Sequence, residues 1–293
     1  MIITKLNGGL GNQMFHYAVG RALAEKHKTR LLLDTRAYNR YLSHNGFELD
    51  RVFNIDSNIA KNYEIKKLIG WRASAIGQKL QDTDYWRFLQ GSHYYREKYI
   101  PFNEDFFSIN DNCYLSGNFQ SERYFENYKE LIRKQFDFKI PLSKQNSFIA
   151  DKIKITPNSV SLHVRRGDYV NNANAIAIYY TCTPEYYERA MKQIANKMAE
   201  PTYFIFSDDI EWVKNNLSFP KNSHFIEHNN GLESYNDMRL TSLCDHHIIA
   251  NSTFSWWGAW LNLKKNKIVI TPRLWFANGD DCSTVVPDGW LRL

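Results

Sequence analysis

The stretch that decides the fold is IITKLNGGLGNQMFHYAVGRALAEKHKTRLLLD, residues 2–34. The apolar run Ile2–Leu6 predicts a buried strand, and a glycine-rich turn, Asn7–Gln13, follows it. Apolar residues recur at helical spacing over Met14–Lys26, and Leu31–Asp34 has the pattern of a second buried strand. Strand, turn, helix and strand in this order form a βαβ unit, so the sequence predicts an α/β protein.

The alternation of strands and helices continues along the rest of the chain. Further strands are predicted at Tyr114–Ser116, Val160–Val164, Thr202–Phe206, His247–Ala250 and Lys267–Thr271. Further helices are predicted at Glu122–Phe136, Pro184–Met198, Ser234–Leu243 and after Ser255. This repetition favours doubly wound parallel sheets. The pattern weakens around Pro141, which divides the chain into domains 1–140 and 141–293 and leaves open whether the last segment packs back on the first domain.

The composition excludes several classes of protein. The 293 residues are 43% hydrophobic and 23% charged, as in globular proteins, which excludes a disordered chain, a coiled coil and a collagen. A net charge of +6 allows an anionic partner without naming one. The basic residues are dispersed, so we expect no nucleic-acid partner. The 15% aromatic content suits a core, a stacking platform or a sugar cleft, and Tyr and Trp within residues 35–110 are candidates for an acceptor surface.

The opening residues lack the pattern of a signal peptide, and no apolar run approaches the ~20 residues of a membrane-spanning helix. We therefore expect a cytoplasmic protein, with peripheral association at the inner membrane face left open. No cysteine belongs to a CxxC pair, so buried, reduced thiols are the favoured interpretation. The cysteines are Cys113, Cys182, Cys244 and Cys282.

Polar motifs follow the predicted strands, where ligands bind in open α/β sheets. His163–Asp168 reads HVRRGD and places Arg165 and Arg166 directly after a strand. The planar forks of two guanidinium groups suit a phosphate, and Asp168 is placed to hold one of them in an ion pair. The alternative is an ordinary surface cluster of arginine and aspartate.

The turn Gly8–Gln13 fits neither the dinucleotide fingerprint nor a P-loop. Its glycines, Gly9 and Gly11 among them, permit close approach of the backbone to a ligand, while Asn12 and Gln13 add neutral hydrogen-bonding side chains. A plain strand–helix turn is an equally good interpretation.

Two further segments precede helices. The hydroxyl groups of Asn251–Ser255 either cap the helix or bind an anion there. A carboxylate of Ser207–Asp209 caps a helix, orients an arginine, or accepts a hydrogen bond from a base or a ribose. A literal DxD occurs at Asp82–Asp84, in a region without a pattern, and chance explains it best. Together the motifs predict a nucleotide-diphosphate site whose charge is met by arginine and backbone N–H groups, with no metal.

Five segments occur in an order that resembles the bacterial α-1,2-fucosyltransferases over most of the chain. They are GGLGNQMFHYA at 8–18, FELDRVF at 47–53, HVRRGD at 163–168, FSDD at 206–209 and NSTFSWWGAWL at 251–261. The resemblance implies a GT-B fold, in which two Rossmann-like domains face each other across a cleft, with the acceptor on the N-terminal side and the GDP-sugar on the C-terminal side. It implies inverting transfer of L-fucose from GDP-fucose to the 2-hydroxyl of a terminal galactose in a surface glycan, without metal or other cofactor.

The resemblance also implies roles for individual residues. Arg165 matches the arginine that binds the β-phosphate, Arg166 is its motif neighbour, and Asn12 lies where related enzymes place an asparagine near the reacting centre. The expected contacts to the guanine end and the pyrophosphate are His163, Asp237, Thr253, Phe254 and Ser255. His16 stands where the family has glutamine. Its imidazole is either a proton acceptor or packed on the helix face, and packing is the favoured interpretation.

Leaving-group departure puts negative charge on the β-phosphate, which Arg165, Ser255 and a helix N-terminus would stabilise. Asp168 is the nearest candidate for a general base, although pairing with an arginine competes with that role. Another GDP-sugar transferase on the same fold is the main alternative. A non-catalytic sugar-binding module and a nucleic-acid-binding protein are more distant ones, and the oligomeric state is open.

Overall fold

The computed structural model describes residues 1–39, 44–74, 77, 93–97 and 101–293. The DxD at Asp82–Asp84 lies outside these residues. The chain divides into two compact units, Met1–Lys139 and Ile140–Leu293. Within the described residues, no helix combines the length and the apolar character that crossing a membrane requires.

The first unit contains a four-stranded parallel sheet. Its strands are β1 (Ile2–Lys5), β2 (Leu31–Asp34), β3 (Tyr94–Arg96) and β4 (Cys113–Ser116). Their spatial order is β2-β1-β4-β3, and β1 pairs in parallel with both β2 and β4. The chain therefore changes direction across the sheet between β1 and β4, which is where an open parallel sheet forms a ligand crevice.

Helices cover this sheet. Those described are α1 (Leu10–Lys26), α2 (Leu49–Val52), α3 (Asn62–Ile69) and α4 (Lys129–Gln135), with 3₁₀ turns at Gly70–Ala73, Glu104–Ser108 and Glu122–Tyr128. Helix α1 begins four residues before its predicted start, so Gly11 and Asn12 belong to its first turn. The single helix predicted over residues 122–136 is wrong: Phe125, with φ −132°, interrupts it, and a 3₁₀ segment precedes α4.

The second unit contains a six-stranded parallel sheet. Its strands are β5 (Ser159–Val164), β6 (Thr202–Ser207), β7 (His224–Ile226), β8 (His246–Ile248), β9 (Val269–Thr271) and β10 (Leu291–Arg292). The order β10-β9-β8-β5-β6-β7 is that of a Rossmann sheet, with the change of direction between β5 and β8. The predicted α/β fold with parallel sheets is confirmed. The edge strands β7 and β10 were not predicted, because two or three residues carry no readable period.

Seven described helices surround the second sheet. They are α5 (Lys144–Ile155), α6 (Gly167–Asn171), α7 (Ala173–Ile178), α8 (Pro184–Ala195), α9 (Ile210–Asn216), α10 (Tyr235–Leu243) and α11 (Thr253–Leu261). Helix α8 starts with Pro184 in its first turn, as predicted, and buries Tyr187 and Ile194 against β5 and β6. All four cysteines are buried free thiols, as predicted.

Candidate functional site

The strongest candidate site lies at the carboxyl ends of β5 and β8, where the second sheet changes direction. Residues 165–168 follow β5, and the turn that leads into α11 follows β8. The two segments meet, since the rings of His163 and Phe254 lie 5.7 Å apart between centroids. His163 and Phe254 are 91 residues apart in the chain, so the structure brings the two motifs together.

Arg165 is the fixed cation of this site. One terminal nitrogen lies 2.6 Å from Oδ1 of Asp168, and the other lies 2.8 Å from Oδ2 of Asp208. Burial opposes the charge, but Asp208 and Asp168 outweigh burial and raise the pKa of Arg165. The side chain keeps 26% of its surface exposed, so the guanidinium is held in one place and still presents a face to a ligand.

Arg166 is fixed differently. Its Nε donates to Asp209 at 3.1 Å, and its guanidinium stacks on Trp212 at 3.9 Å from the ring centroid. Its backbone N–H donates to Asp208 at 2.8 Å. Both carboxylates of the Ser-Asp-Asp motif thus hold the arginine segment, and Arg166 is used for packing.

Gly167 shows how closely the two motifs fit together. A Cβ at this position would lie 2.4 Å from Oδ2 of Asp208, the oxygen that pairs with Arg165. A side chain at Gly167 would therefore displace the ion pair. Asp168, the candidate general base, accepts from Arg165, which is the competing role expected for it.

His163 lies beneath this cluster and is 7% exposed. Burial and the nearby Arg165 lower the pKa of His163 to about 3, so the imidazole is neutral. Among the described residues its Nδ1 is buried and has no hydrogen-bond partner.

Asp237, on α10, accepts a hydrogen bond from Nδ2 of Asn229 at 2.8 Å. Burial raises the pKa of Asp237 to about 7. Asn229 also exchanges two side-chain hydrogen bonds with Asn146, at 2.8 and 3.0 Å, and His228 contacts the same amide at 2.8 Å. This buried amide pair was missed in the sequence, because two asparagines 83 residues apart carry no local pattern.

The start of α11 is held by Asn251, whose Nδ2 donates to the carbonyls of Tyr180 and Trp275 at 2.6 and 2.8 Å. The Ser255 hydroxyl is buried and donates to backbone carbonyls of Ala250 and Ser252 at 3.2 and 3.1 Å. Ser252 is the N-cap residue, and within the described residues its side chain makes no hydrogen bond to the first turn. The backbone N–H groups of Thr253 and Phe254, rather than the Ser255 hydroxyl, are what this helix end offers to an anion.

In the first unit, the glycine turn lies against the side-chain amide of Asn12. Gly8 has φ +71°, and a Cβ there would lie 2.5 Å from Nδ2 of Asn12. Oδ1 of Asn12 accepts from Nε2 of Gln120 at 3.2 Å. Gly9 precedes α1 in an extended conformation, and Gly11 is buried in its first turn. The Asn12 amide is thus held at its oxygen, while its nitrogen lies beside Gly8.

Gln13 joins two motifs that the sequence showed only as separate segments. Its Nε2 donates to the carbonyls of Gly8 and Gly46 at 3.1 and 2.8 Å, while its Oε1 accepts from the backbone N–H of Glu48 at 2.9 Å. The side chain is fully buried, so it fixes the turn rather than a ligand. His16 is also fully buried, which confirms that it packs on the helix face. Burial lowers its pKa to about 4.

Among the residues described, no group of three or more His, Cys, Asp or Glu side chains is arranged to hold a metal ion. Of the aromatic residues within 35–110, Tyr63 and Trp71 are exposed, whereas Tyr85 and Trp86 lie outside the described residues.

The chain is similar to several known proteins. The family profile described as glycosyl transferase family 11 matches residues 1–279. The chain is 35% identical to an α-1,2-colitosyltransferase of Escherichia coli over 100% of this chain and 99% of that protein. It is 25% identical to the human galactoside α-(1,2)-fucosyltransferase 1, over 87% of this chain and 64% of that protein. A crystal structure of the α-1,6-fucosyltransferase NodZ, an enzyme from Bradyrhizobium, with GDP superposes with a TM-score of 0.55 at 13% identity, covering 88% of this chain and 91% of that one.

Proposed function

Because the chain belongs to glycosyl transferase family 11, we propose that it moves L-fucose from GDP-fucose to the 2-hydroxyl of a terminal galactose, with inversion at the anomeric carbon. The observation that carries the proposal is Arg165, held by two carboxylates at the point where the Rossmann sheet changes direction. A partly exposed, fixed guanidinium at this position suits a diphosphate.

The leaving group explains the need for a fixed cation. As the bond between the sugar and the β-phosphate breaks, negative charge develops on the phosphate oxygens. A cation already in place stabilises that charge without reorganisation during the reaction. Arg165 supplies this charge, and the backbone N–H groups at the start of α11 add their partial positive charge.

We assign the contacts to the guanine end of the nucleotide to His163 and Asp237. An ionised carboxylate at Asp237 accepts hydrogen bonds from N1–H and the 2-amino group of guanine together. The neutral ring of His163 lies beside Phe254 and is assigned to the same end of the nucleotide. The carboxylate distinguishes guanine from bases that lack one or both donors.

The first unit is assigned to the acceptor side. Asn12 presents its amide nitrogen beside Gly8, at the start of α1. An amide donor orients a sugar hydroxyl without taking its proton. Asp168 is committed to Arg165, so we assign it to positioning of that cation rather than to proton abstraction.

A second donor is favoured by one specific finding. The E. coli protein that is 35% identical over the full chain is named a colitosyltransferase. Colitose is the 3-deoxy form of L-fucose, so a site for one sugar differs from a site for the other at a single hydroxyl. The two candidate reactions share the nucleotide, the leaving group and the acceptor position.

The test is a donor comparison with one β-galactoside acceptor. Initial rates are measured with GDP-fucose, GDP-colitose, GDP-mannose and UDP-galactose. The proposal predicts the highest kcat/KM for GDP-fucose and no transfer from UDP-galactose. A higher kcat/KM for GDP-colitose would replace fucose by colitose as the donor, and preferential turnover of UDP-galactose would contradict the nucleotide site.

A further inference from the structure

A strained turn follows β4 at the carboxyl edge of the first sheet. The turn is Gly117–Gln120, and within it Phe119 is fully buried with φ +51°. A bulky residue in the left-handed region costs energy and persists only where its surroundings fix it. Such turns concentrate at functional sites, so the contacts that fix this one are informative.

Glu97, the first residue after β3, fixes the turn. Its Oε2 accepts the backbone N–H groups of Asn118 and Phe119, both at 2.7 Å, and its Oε1 accepts the hydroxyl of Tyr124 at 2.9 Å. A Cβ at Gly117 would lie 2.4 Å from Cβ of Glu97, so only glycine lets the turn come this close. One partly buried carboxylate thus satisfies two N–H groups and one hydroxyl.

The turn carries Gln120 to Asn12. Gln120 is 8% exposed, and its Nε2 donates to Oδ1 of Asn12, which is 108 residues away in the chain. Because a donor meets Oδ1, the amide cannot rotate by 180° without losing that hydrogen bond. Nδ2 is therefore kept on the side of Gly8, where the missing side chain leaves room for it.

We propose that Gln120 is a positioning residue that keeps the donor end of the Asn12 amide turned toward the substrate, and that Glu97 positions Gln120 by holding the strained turn. The inference rests on the proposed function, in which Asn12 contacts the reacting sugars. Neither Gln120 nor Glu97 needs to touch the substrate.

The test is a double-mutant cycle in kcat with the preferred donor and saturating acceptor. Gln120→Met keeps the length of the side chain and removes the donor. It should lower kcat about 10-fold, the effect of one lost hydrogen bond, and leave the KM for the donor within about 3-fold. Asn12→Ala combined with Gln120→Met should be no slower than Asn12→Ala alone, because Gln120 acts through Asn12. Glu97→Gln should lower kcat in the same non-additive way.

Gln145→Met, on the exposed surface of α5, is the matched control and should keep full activity. Independent, multiplying effects of Asn12→Ala and Gln120→Met would overturn the inference, as would an unchanged kcat in Gln120→Met.

Crystal structures of the wild type and of Gln120→Met give a readout that does not depend on the donor. Rotation or disorder of the Asn12 amide in the variant supports the inference, and an unmoved amide contradicts it. A wild type inactive with every GDP-sugar would refute the proposed function instead.

Discussion

The carboxyl edges of the two sheets are built from different chemistry. At the second sheet, Arg165 is a fixed cation between two carboxylates. At the first sheet, Gln120 holds the amide of Asn12, and Gln13 holds the glycine turn. Charge suits a departing diphosphate, whereas oriented neutral donors suit a sugar hydroxyl. Substitutions at the second edge should therefore remove charge stabilisation, and those at the first should disturb orientation.

The largest effect is expected at the fixed cation. Arg165→Ala should lower kcat by about 10²- to 10³-fold, the range found when a preorganised donor to a developing charge is removed. The substitution also leaves Asp168 and Asp208 facing each other without their cation. Steady-state rates with GDP-fucose measure the loss, and circular dichroism checks that the fold is intact.

Arg189→Ala is the matched control, since Arg189 is exposed on α8, and its rates should stay near those of the wild type. Turnover of Arg165→Ala within a few-fold of the wild type would remove Arg165 from the phosphate site.

The glycine turn tests whether orientation matters at the first edge. Gly8→Ala places a Cβ against the Asn12 amide and should lower kcat about 10-fold, in line with the loss of one hydrogen bond in the transition state. Gly279→Ala is a matched control, because Gly279 has a similar φ of +75° and nothing lies within 4 Å of its Cβ position.

Both variants should lose about 1–2 kcal/mol of unfolding free energy from backbone strain, measured by urea denaturation. Equal kcat values for the two variants would show that the Asn12 amide is not oriented by Gly8.

The next effect concerns the nucleotide and has a pH dependence. The folded-state pKa of Asp237 is about 7, above its ordinary value of 3.8. Below pH 3.8, the protonated carboxyl group therefore makes its full contribution to the stability of the fold. This stabilisation is lost as the pH rises through 7. In the proposed site guanine binds the ionised form of Asp237, so GDP affinity should increase between pH 6 and pH 8 in calorimetric titrations.

Asp237→Asn should abolish that increase, weaken GDP binding about 10-fold at pH 8 and raise the melting temperature at pH 8. Asp151→Asn is the matched control, with a carboxylate that is 72% exposed. A variant that retains the pH dependence of the wild type would exclude Asp237 as its source.

The smallest effect on catalysis is expected at Arg166, which packs on Trp212 and pairs with Asp209. Arg166→Ala should lower the unfolding free energy by about 1–2 kcal/mol through the lost stacking and ion pair. Its kcat should stay within about 3-fold of the wild type. A loss of kcat as large as that of Arg165→Ala would place both arginines on the phosphate.

Much of the fold could be predicted from the sequence where a periodic apolar pattern continues over many residues. Helix α1 and strand β5 have clear apolar patterns, and Pro184 marks the start of α8. The 3₁₀ segment before α4 was not predictable, because its apolar spacing resembles that of a helix and the break at Phe125 depends on tertiary packing.

The site was partly predictable for a related reason. Arg165 and Asp168 are three residues apart, so their ion pair follows from local spacing. The partners Asp208 and Gln120 are 43 and 108 residues from Arg165 and Asn12, and only the parallel pairing of strands brings them together. Glu97 carries no sequence signal, since a single glutamate after a three-residue strand looks like any surface residue.

The central claim is transfer of fucose to a galactose 2-hydroxyl from a site that needs no metal. The most direct measurement is incubation of the protein with GDP-fucose and a panel of β-galactoside acceptors in excess EDTA, followed by NMR linkage analysis of the product. We expect an α-linked fucose on O2 of the terminal galactose at a rate that EDTA does not change. Fucose attached at another position, a β-linked product, or a reaction that stops in EDTA and resumes with a divalent cation would contradict the account.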